Sequence, residues 1–230
     1  MGEVEVRWCK DIGMFTIDRG IPNSCRHATA FCRGEIPGVT PCYNLKLYKL
    51  YPNMVGKDAR NDSAWSVIQG EDVRRSLDRK RKPTDRLRLM SRGEAFATIV
   101  DIPRVRDIAR SNPDRLIWIP TRAWRNPILR TLIEAEIATL PNVAVLASLD
   151  PTNTEDQWRD LVSRGWSTMF YGKMPGGWNG PPNTFACPKI HARNKARQRD
   201  GSGHCGVCRA GCFAPKLLGR RVDVHLGTGH

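Results

Sequence analysis

Eight cysteines stand among the 230 residues, and seven of them fall into two groups whose spacing points to chemistry. Cys25, Cys32 and Cys42 share one Gly/Pro-broken loop, spaced Cys-x6-Cys-x9-Cys. Cys187, Cys205, Cys208 and Cys212 lie near the end of the chain, where Cys205-Gly-Val-Cys208 is a Cys-x-x-Cys knuckle. Thiolates are ligands for soft and borderline metals, and a loop can aim several of them at one point. Four thiolates complete a closed site, whereas three leave one metal position open to a substrate or cofactor. The early loop therefore reads as an iron–sulfur site, and the tail as a second iron–sulfur cluster or a zinc site. The rival for the first loop is a disulfide framework; three is an odd number, and the acidic start of the chain is unlike a secretory leader. A redox dithiol at Cys205 and Cys208 is the weaker reading of the knuckle, because that motif belongs after a strand in a βαβ unit. Cys9 stands apart and reads as a small core residue. His27 and His204 adjoin cysteines and read as polar neighbours.

Charge supplies the second clue. Thirty-seven Lys and Arg against 23 Asp and Glu give a net charge of +14, concentrated in two runs. Eight basic residues between Arg74 and Arg88 face only Asp78 and Asp85, and nine between Cys187 and Arg221 face only Asp200. Such patches draw in polyanions, of which nucleic acid is the commonest, or simply solvate a surface. Arg193, Lys195, Arg197 and Arg199 are the candidates for phosphate contact, and Trp178 either stacks on a base or pins its Gly/Pro loop. Hydrophobic content of 40% and charged content of 26% are those of a globular domain able to bury a sizeable core. No apolar run approaches the ~18 residues of a membrane span, so the expected setting is a reducing cytoplasm, where metal explains cysteines better than disulfides do.

The elements that must position these residues follow from periodicity. Met14 to Asp18 reads as a strand leading into the first cysteine loop, and Asn44 to Tyr51 as a helix leading out. Ser63 to Arg79 has helical spacing through Trp65, Ile68, Val73 and Leu77, weakened at Gly70. Leu87 to Met90 is a strand, followed by a helix from Asp101 to about Ser111 with Pro103 in its first turn. Leu116 to Pro120 is an apolar strand, and Asn126-Pro127 starts a helix stopped by Pro141. Val143 to Leu149 is the clearest strand; Thr154 with Gln157 makes a capping box for the next helix, and Thr168 to Tyr171 is a further strand. This strand–helix rhythm predicts an α/β fold, either a partial (β/α) barrel or a parallel sheet with helices, followed by a cysteine-rich irregular C-terminal segment. The expected division is an α/β domain over 1–172 and a Gly/Pro loop with a basic, cysteine-rich segment over 173–230 packed on it. Little regular structure is expected in that tail before Val222 to Leu226. In such sheets functional residues gather at the carboxyl ends of strands. The cysteine loop, Gly93-Glu94, Thr121-Arg122 and Ser148-Asp150 all follow strands and so share one rim.

These motifs, in this order, resemble those of the phage family called gene product 88. The early cysteines end in Cys42-Tyr43, a strand runs into Ser91-Arg92-Gly93-Glu94-Ala95-Phe96, and Cys187-Pro188 precedes Cys205, Cys208 and Cys212. The resemblance runs from about residue 14 to 230. More remotely, the arrangement is similar to radical S-adenosylmethionine enzymes. There a three-cysteine loop after the first strand holds a 4Fe–4S cluster, and a Gly-Glu motif ending the second strand holds the amino group of S-adenosylmethionine. The resemblance implies that Cys25, Cys32 and Cys42 hold the cluster, and that Tyr43, Gly93, Glu94, Thr121, Ser148 and Asp150 line the cofactor. The basic runs add nucleic acid or a nucleotide as the expected substrate, and an enzyme of this type needs an electron donor as partner, within a host cytoplasm if phage-encoded. The wide cysteine spacing departs from the usual Cys-x3-Cys-x2-Cys. The rival is a non-catalytic nucleic-acid-binding protein stapled by zinc.

Overall fold

A computed structural model of the chain describes residues 4–21, 23–39, 42–80, 82, 84–189, 205, 206, 208 and 211–227. Strands β1 (Arg7–Cys9) and β2 (Met14–Ile17) form an antiparallel hairpin at one edge of a mixed sheet. From β2 onward the sheet is parallel, through β3 (Arg86–Leu89), β4 (Leu116–Thr121), β5 (Val143–Leu149) and β6 (Ser167–Phe170). The chain then adds β7 (Phe185–Ala186) and β8 (Asp223–His225), giving the order β1-β2-β3-β4-β5-β6-β8-β7. Successive parallel neighbours require a crossover at each step, and helices supply it. Those helices are α1 (Ala30–Arg33), α2 (Tyr43–Leu50), α3 (Asn53–Trp65), α4 (Gly70–Arg79), α5 (Asp101–Ser111), α6 (Pro127–Leu132) and α7 (Glu155–Ser163). Helix α8 (Ala214–Leu217) lies in the tail. No helix among the described residues is long and apolar enough to cross a membrane.

Local chemistry sets the boundaries. Asn126 caps α6 by accepting from the backbone N–H groups of Ile128 and Leu129, with Pro127 following it, and Thr154 and Gln157 form the reciprocal capping box on α7. The predicted helix across 63–79 is instead two helices, α3 and α4, broken between Trp65 and Gly70. Gly70 is the reason. A Cβ there would lie 2.4 Å from the Asp107 carbonyl oxygen, and its own N–H donates to Asp107 Oδ2 at 2.6 Å. The glycine thus lets α4 start hard against α5 rather than weakening a longer helix. The helix begun at Pro127 passes into a π-helical stretch at Ile133–Ile137.

The sheet is buried on both faces by alternation along its strands. Phe15, Ile17, Leu87, Leu89, Ile117, Ile119, Val143 and Ala147 join the larger core beneath the helices. Met14, Trp118, Ala144, Leu146, Met169 and Val224 form a second apolar cluster, against which Phe213 and the cysteine-bearing tail pack. The tail becomes regular at β8, within the expected Val222–Leu226, and adds the unexpected short strand β7. It contributes β7 and β8 to the sheet, because β6 would otherwise expose an unpaired edge.

Candidate metal and cofactor site

The carboxyl end of β2 runs into the first cysteine loop, and that of β3 into Ser91-Arg92-Gly93-Glu94. Asp18 joins the two by accepting from the Ser91 N–H (2.8 Å), the Ser91 hydroxyl (2.6 Å) and the Arg92 N–H (3.0 Å). Arg92 is buried and pairs with Asp18 at 2.8 Å, and donates through Nε and Nη2 to the two oxygens of Asp58. Tyr48 donates to the same Asp58 carboxylate. Buried charges persist only when paired and hydrogen-bonded like this. Gly93 has φ +81, and a Cβ there would stand 2.6 Å from Ser24 Oγ and 2.8 Å from the Arg19 carbonyl oxygen. Only glycine lets the β3 turn press against the cysteine loop so closely. Met90, at the end of β3, also has a positive φ of 66. A side chain in that region is rare and concentrates at sites that the surrounding structure over-determines.

Glu94 is 5% exposed, so it is no solvent-facing strand-end carboxylate. Its Oε1 accepts from the Thr121 hydroxyl (2.8 Å) and the Phe96 N–H (3.2 Å), and its Oε2 from the Arg122 N–H (2.9 Å). Its own N–H donates to Ser24 Oγ at 3.1 Å, one residue from Cys25. A carboxylate offers about four lone-pair directions, which leaves roughly one for a ligand. Asp150 is fully buried and has none to spare. It accepts from Thr29 Oγ1 (2.6 Å), the Thr152 N–H (2.9 Å) and the Thr152 hydroxyl, and pairs with Arg122 at 2.7 Å. Asp150 thus positions Arg122 and Thr29. Thr29 in turn caps α1, accepting from the Cys32 N–H at 3.2 Å, and the Cys42 N–H donates to the Cys32 carbonyl at 3.3 Å. Tyr43 opens α2 directly after Cys42. Ser148 is half-buried, and its carbonyl accepts from Trp124 Nε1 at 3.1 Å.

The three loop thiols and Glu94 form one electrostatic neighbourhood. Burial pushes the Cys25 thiol up to about 12, with Glu94, Cys42 and Cys32 adding to the effect. Burial also raises Cys42, with Cys32 contributing and Arg122 opposing. In the tail, burial lifts Cys205 to about 12 and raises Cys212 as well, with Cys187 and Cys208 adding to both. Among the described residues, however, no group of three His, Cys, Asp or Glu side chains is arranged to hold a metal ion. The two findings are compatible because Coulomb interaction reaches further than a coordination bond. One shared ion would need sulfurs about 2.3 Å from its centre.

Thr29, Asp18 and Asp58 are participants that residue spacing does not single out, and it gives Arg92 and Arg122 a place on the rim without a role. Their signal is present only as polar residues flanking strand ends. Arg193, Lys195, Arg197, Arg199 and His204 lie outside the described residues.

A pH dependence follows. A thiol whose proton is held more tightly in the folded than in the unfolded chain stabilises the fold below about pH 9, its ordinary value. That contribution disappears as pH rises toward about 12. The metal-free protein should therefore lose urea resistance progressively above pH 9. Metal loading, which requires thiolates, should instead improve with pH. Unfolding midpoints that stay level across that range would contradict the burial of these thiols.

The fold and site together define an α/β protein with a mostly parallel sheet, a cysteine loop and a buried glutamate at the carboxyl ends of its strands. The chain belongs to the gene product 88 family, whose model matches residues 6–211 and so spans both cysteine groups except Cys212. No curated protein and no solved structure matches it.

Proposed function

We propose that this protein is an iron–sulfur enzyme of the radical S-adenosylmethionine type, acting on nucleic acid or a nucleotide. One observation carries the reading. The carboxyl ends of four successive parallel strands, β2 to β5, bring Cys25, Cys32 and Cys42 together with Glu94, Arg122 and the Thr29–Asp150 pair. The sequential strand order β2 to β6 supports a partial (β/α) barrel as the architecture behind that rim. Three thiols in one loop are the number that would hold a 4Fe–4S cluster with one iron left open. Cys25, Cys32 and Cys42 would hold it. When bound and reduced, such a cluster supplies the electron for cleavage of S-adenosylmethionine, with 5′-deoxyadenosine as a product.

The chain's own residues bind and orient. Glu94, locked by Thr121, Phe96 and Arg122, presents its remaining acceptor direction to an ammonium group. Arg122, held by Asp150, places a positive charge that opposes the burial-driven rise of the Cys42 thiol. Gly93 permits the close approach, and the Asp18–Arg92–Asp58 network prevents the turn from drifting.

The test is anaerobic purification followed by reduction with dithionite in the presence of S-adenosylmethionine. Brown protein absorbing near ~400 nm that yields 5′-deoxyadenosine is the expected result. A fully loaded cluster that neither binds nor cleaves the cofactor would end the enzyme reading. The net charge of +14 favours one second reading, a zinc-stapled nucleic-acid-binding protein. Both readings predict binding to nucleic acid that weakens steeply between ~50 and 200 mM salt. Colourless, zinc-loaded protein would decide for the second.

A further inference from the structure

A cavity of about 750 Å³ lies between α3, α4 and the segment 4–6 that leads into β1. Helical spacing builds two of its walls. Arg60, Ser63 and Ala64 stand at i, i+3 and i+4 along α3, and Ser76, Arg79 and Lys80 repeat that spacing at the end of α4. The third wall is pinned by Asn61. Its Oδ1 accepts from the Glu5 N–H at 2.8 Å, and its Nδ2 donates to the Glu5 carbonyl at 3.2 Å. The same Nδ2 donates to the Asp18 carbonyl at 3.0 Å, which joins this wall to the network under the Gly93-Glu94 turn.

The lining has two chemistries. Val4, Val6, Ala64 and Val67 supply apolar surface, while Arg60, Arg79 and Lys80 supply positive charge. The carboxylate among the lining residues, Glu5, is paired with Lys57 at 2.8 Å. The side chains of Arg60 and Lys80 are exposed and enter no hydrogen bond or ion pair among the described residues. Ser76 is 8% exposed, and its hydroxyl has no partner there either, whereas Ser63 donates to the Ala59 carbonyl one turn back. A polar group withdrawn from water without a partner is costly, and this one borders the cavity. Other members of the same basic run are committed elsewhere. Arg74 and Arg75 pair with Asp114 and Asp72, and Arg86 turns to the opposite face, where its Nη1 donates to the Cys205 and Cys208 carbonyls.

We propose that this cavity binds a nucleoside phosphate, with the phosphate on Arg60, Lys80 and the Ser76 hydroxyl and the sugar and base on the valines and Ala64. The proposal rests on the nucleic-acid reading above and deepens it by locating the contact. Cavities of roughly 300–1,000 Å³ hold small ligands, so one nucleotide unit fits here and a duplex does not. A single strand can offer such a unit because its bases are free of pairing. Discrimination among bases is weak, since Asn61 spends both ends of its amide on backbone and no aromatic ring lines the cavity. Recognition is by charge and shape.

The experiment uses the metal-free full chain, a short fluorescent single-stranded oligonucleotide and fluorescence anisotropy. The double variant Arg60→Gln/Lys80→Gln should bind about tenfold or more weakly. Its plot of log affinity against log salt should be shallower by ~0.7 for each cation removed. Ser76→Ala should cost roughly tenfold, the loss of one hydrogen bond to a charged group. Urea midpoints of the double variant should match the wild type, because both side chains are exposed and unpaired. Competition with a nucleoside triphosphate separates two sources of the same chemistry. Displacement of the strand by the triphosphate assigns the cavity to free nucleotide, and displacement only by a second strand assigns it to nucleic acid; either result supports the site. Wild-type affinity and salt slope in the double variant, with binding lost in a variant carrying Gln at 193, 195, 197 and 199, would overturn this cavity and leave the nucleic-acid reading standing. A wild-type protein that binds neither strand nor nucleotide at low salt would overturn both.

Discussion

Cys32→Ala should abolish both the absorbance near ~400 nm and the production of 5′-deoxyadenosine, while Glu94→Gln should spare the first and cripple the second. The two substitutions separate holding a cluster from holding a cofactor. Cys32 is fixed from two directions: its N–H is capped by Thr29, and its carbonyl accepts from the Cys42 N–H. Removing its sulfur leaves two thiols, too few to retain a cluster with one open position. Glu94 is different, since it donates nothing to the metal and accepts from three protein donors. A glutamine in its place would keep the shape but turn an NH2 group toward one of those donors and remove the negative charge offered to an ammonium. A charge-assisted bond is worth about 1.5–3 kcal/mol, so cofactor affinity should fall roughly ten- to hundredfold. Equilibrium binding of S-adenosylmethionine to the anaerobic, cluster-loaded variants measures it. Equal loss of cluster and cofactor binding in both variants would mean that Glu94 supports the loop and has no part in cofactor contact.

The second large effect falls on stability. Arg92 is 3% exposed, with Asp18 and Asp58 at 1% and 0%, so neither carboxylate can turn to water if the guanidinium is removed. Arg92→Met should therefore cost about 3–5 kcal/mol, the penalty for orphaning buried charge. At about 2–4 °C per kcal/mol for a chain of this size, the melting temperature drops by roughly 6–20 °C. The exposed pair Arg159–Glu155 is the control, and Arg159→Met should change stability by less than about 1 kcal/mol. Thermal unfolding of the metal-free protein, followed by far-UV circular dichroism, makes the comparison. An Arg92→Met shift no larger than that of Arg159→Met would refute the structural role of the network. Because Arg92 anchors the Gly93-Glu94 turn, the variant should also bind cofactor poorly at temperatures where it remains folded.

Much of this protein is legible from residue order alone, and the legible parts are those governed by short-range rules. The apolar run Val143–Leu149, the Asn126 cap and the Thr154/Gln157 capping box depend on neighbours within a few positions, and each appears where periodicity and capping chemistry place it. The rim was legible for the same reason, since a residue that follows a parallel strand must lie at its carboxyl end. The role of each rim residue was not. Asp150 and Glu94 are both carboxylates after strands, yet four donors consume Asp150 while Glu94 keeps about one acceptor direction, a difference set by residues up to 121 positions away. Gly70 reads as a helix weakener until Asp107 is seen against it, and Gly93 as a loose turn until Ser24 and Arg19 close on it. The same holds for β3, where Arg86 and Arg88 look like part of a solvated basic run. Only the pairing of β2, β3 and β4 reveals that alternation turns them inward, toward the tail cysteines. Local sequence determines which backbone conformation a segment prefers. Which buried charge meets which partner is decided by contacts across the sheet, where desolvation makes an unpaired group too costly to keep.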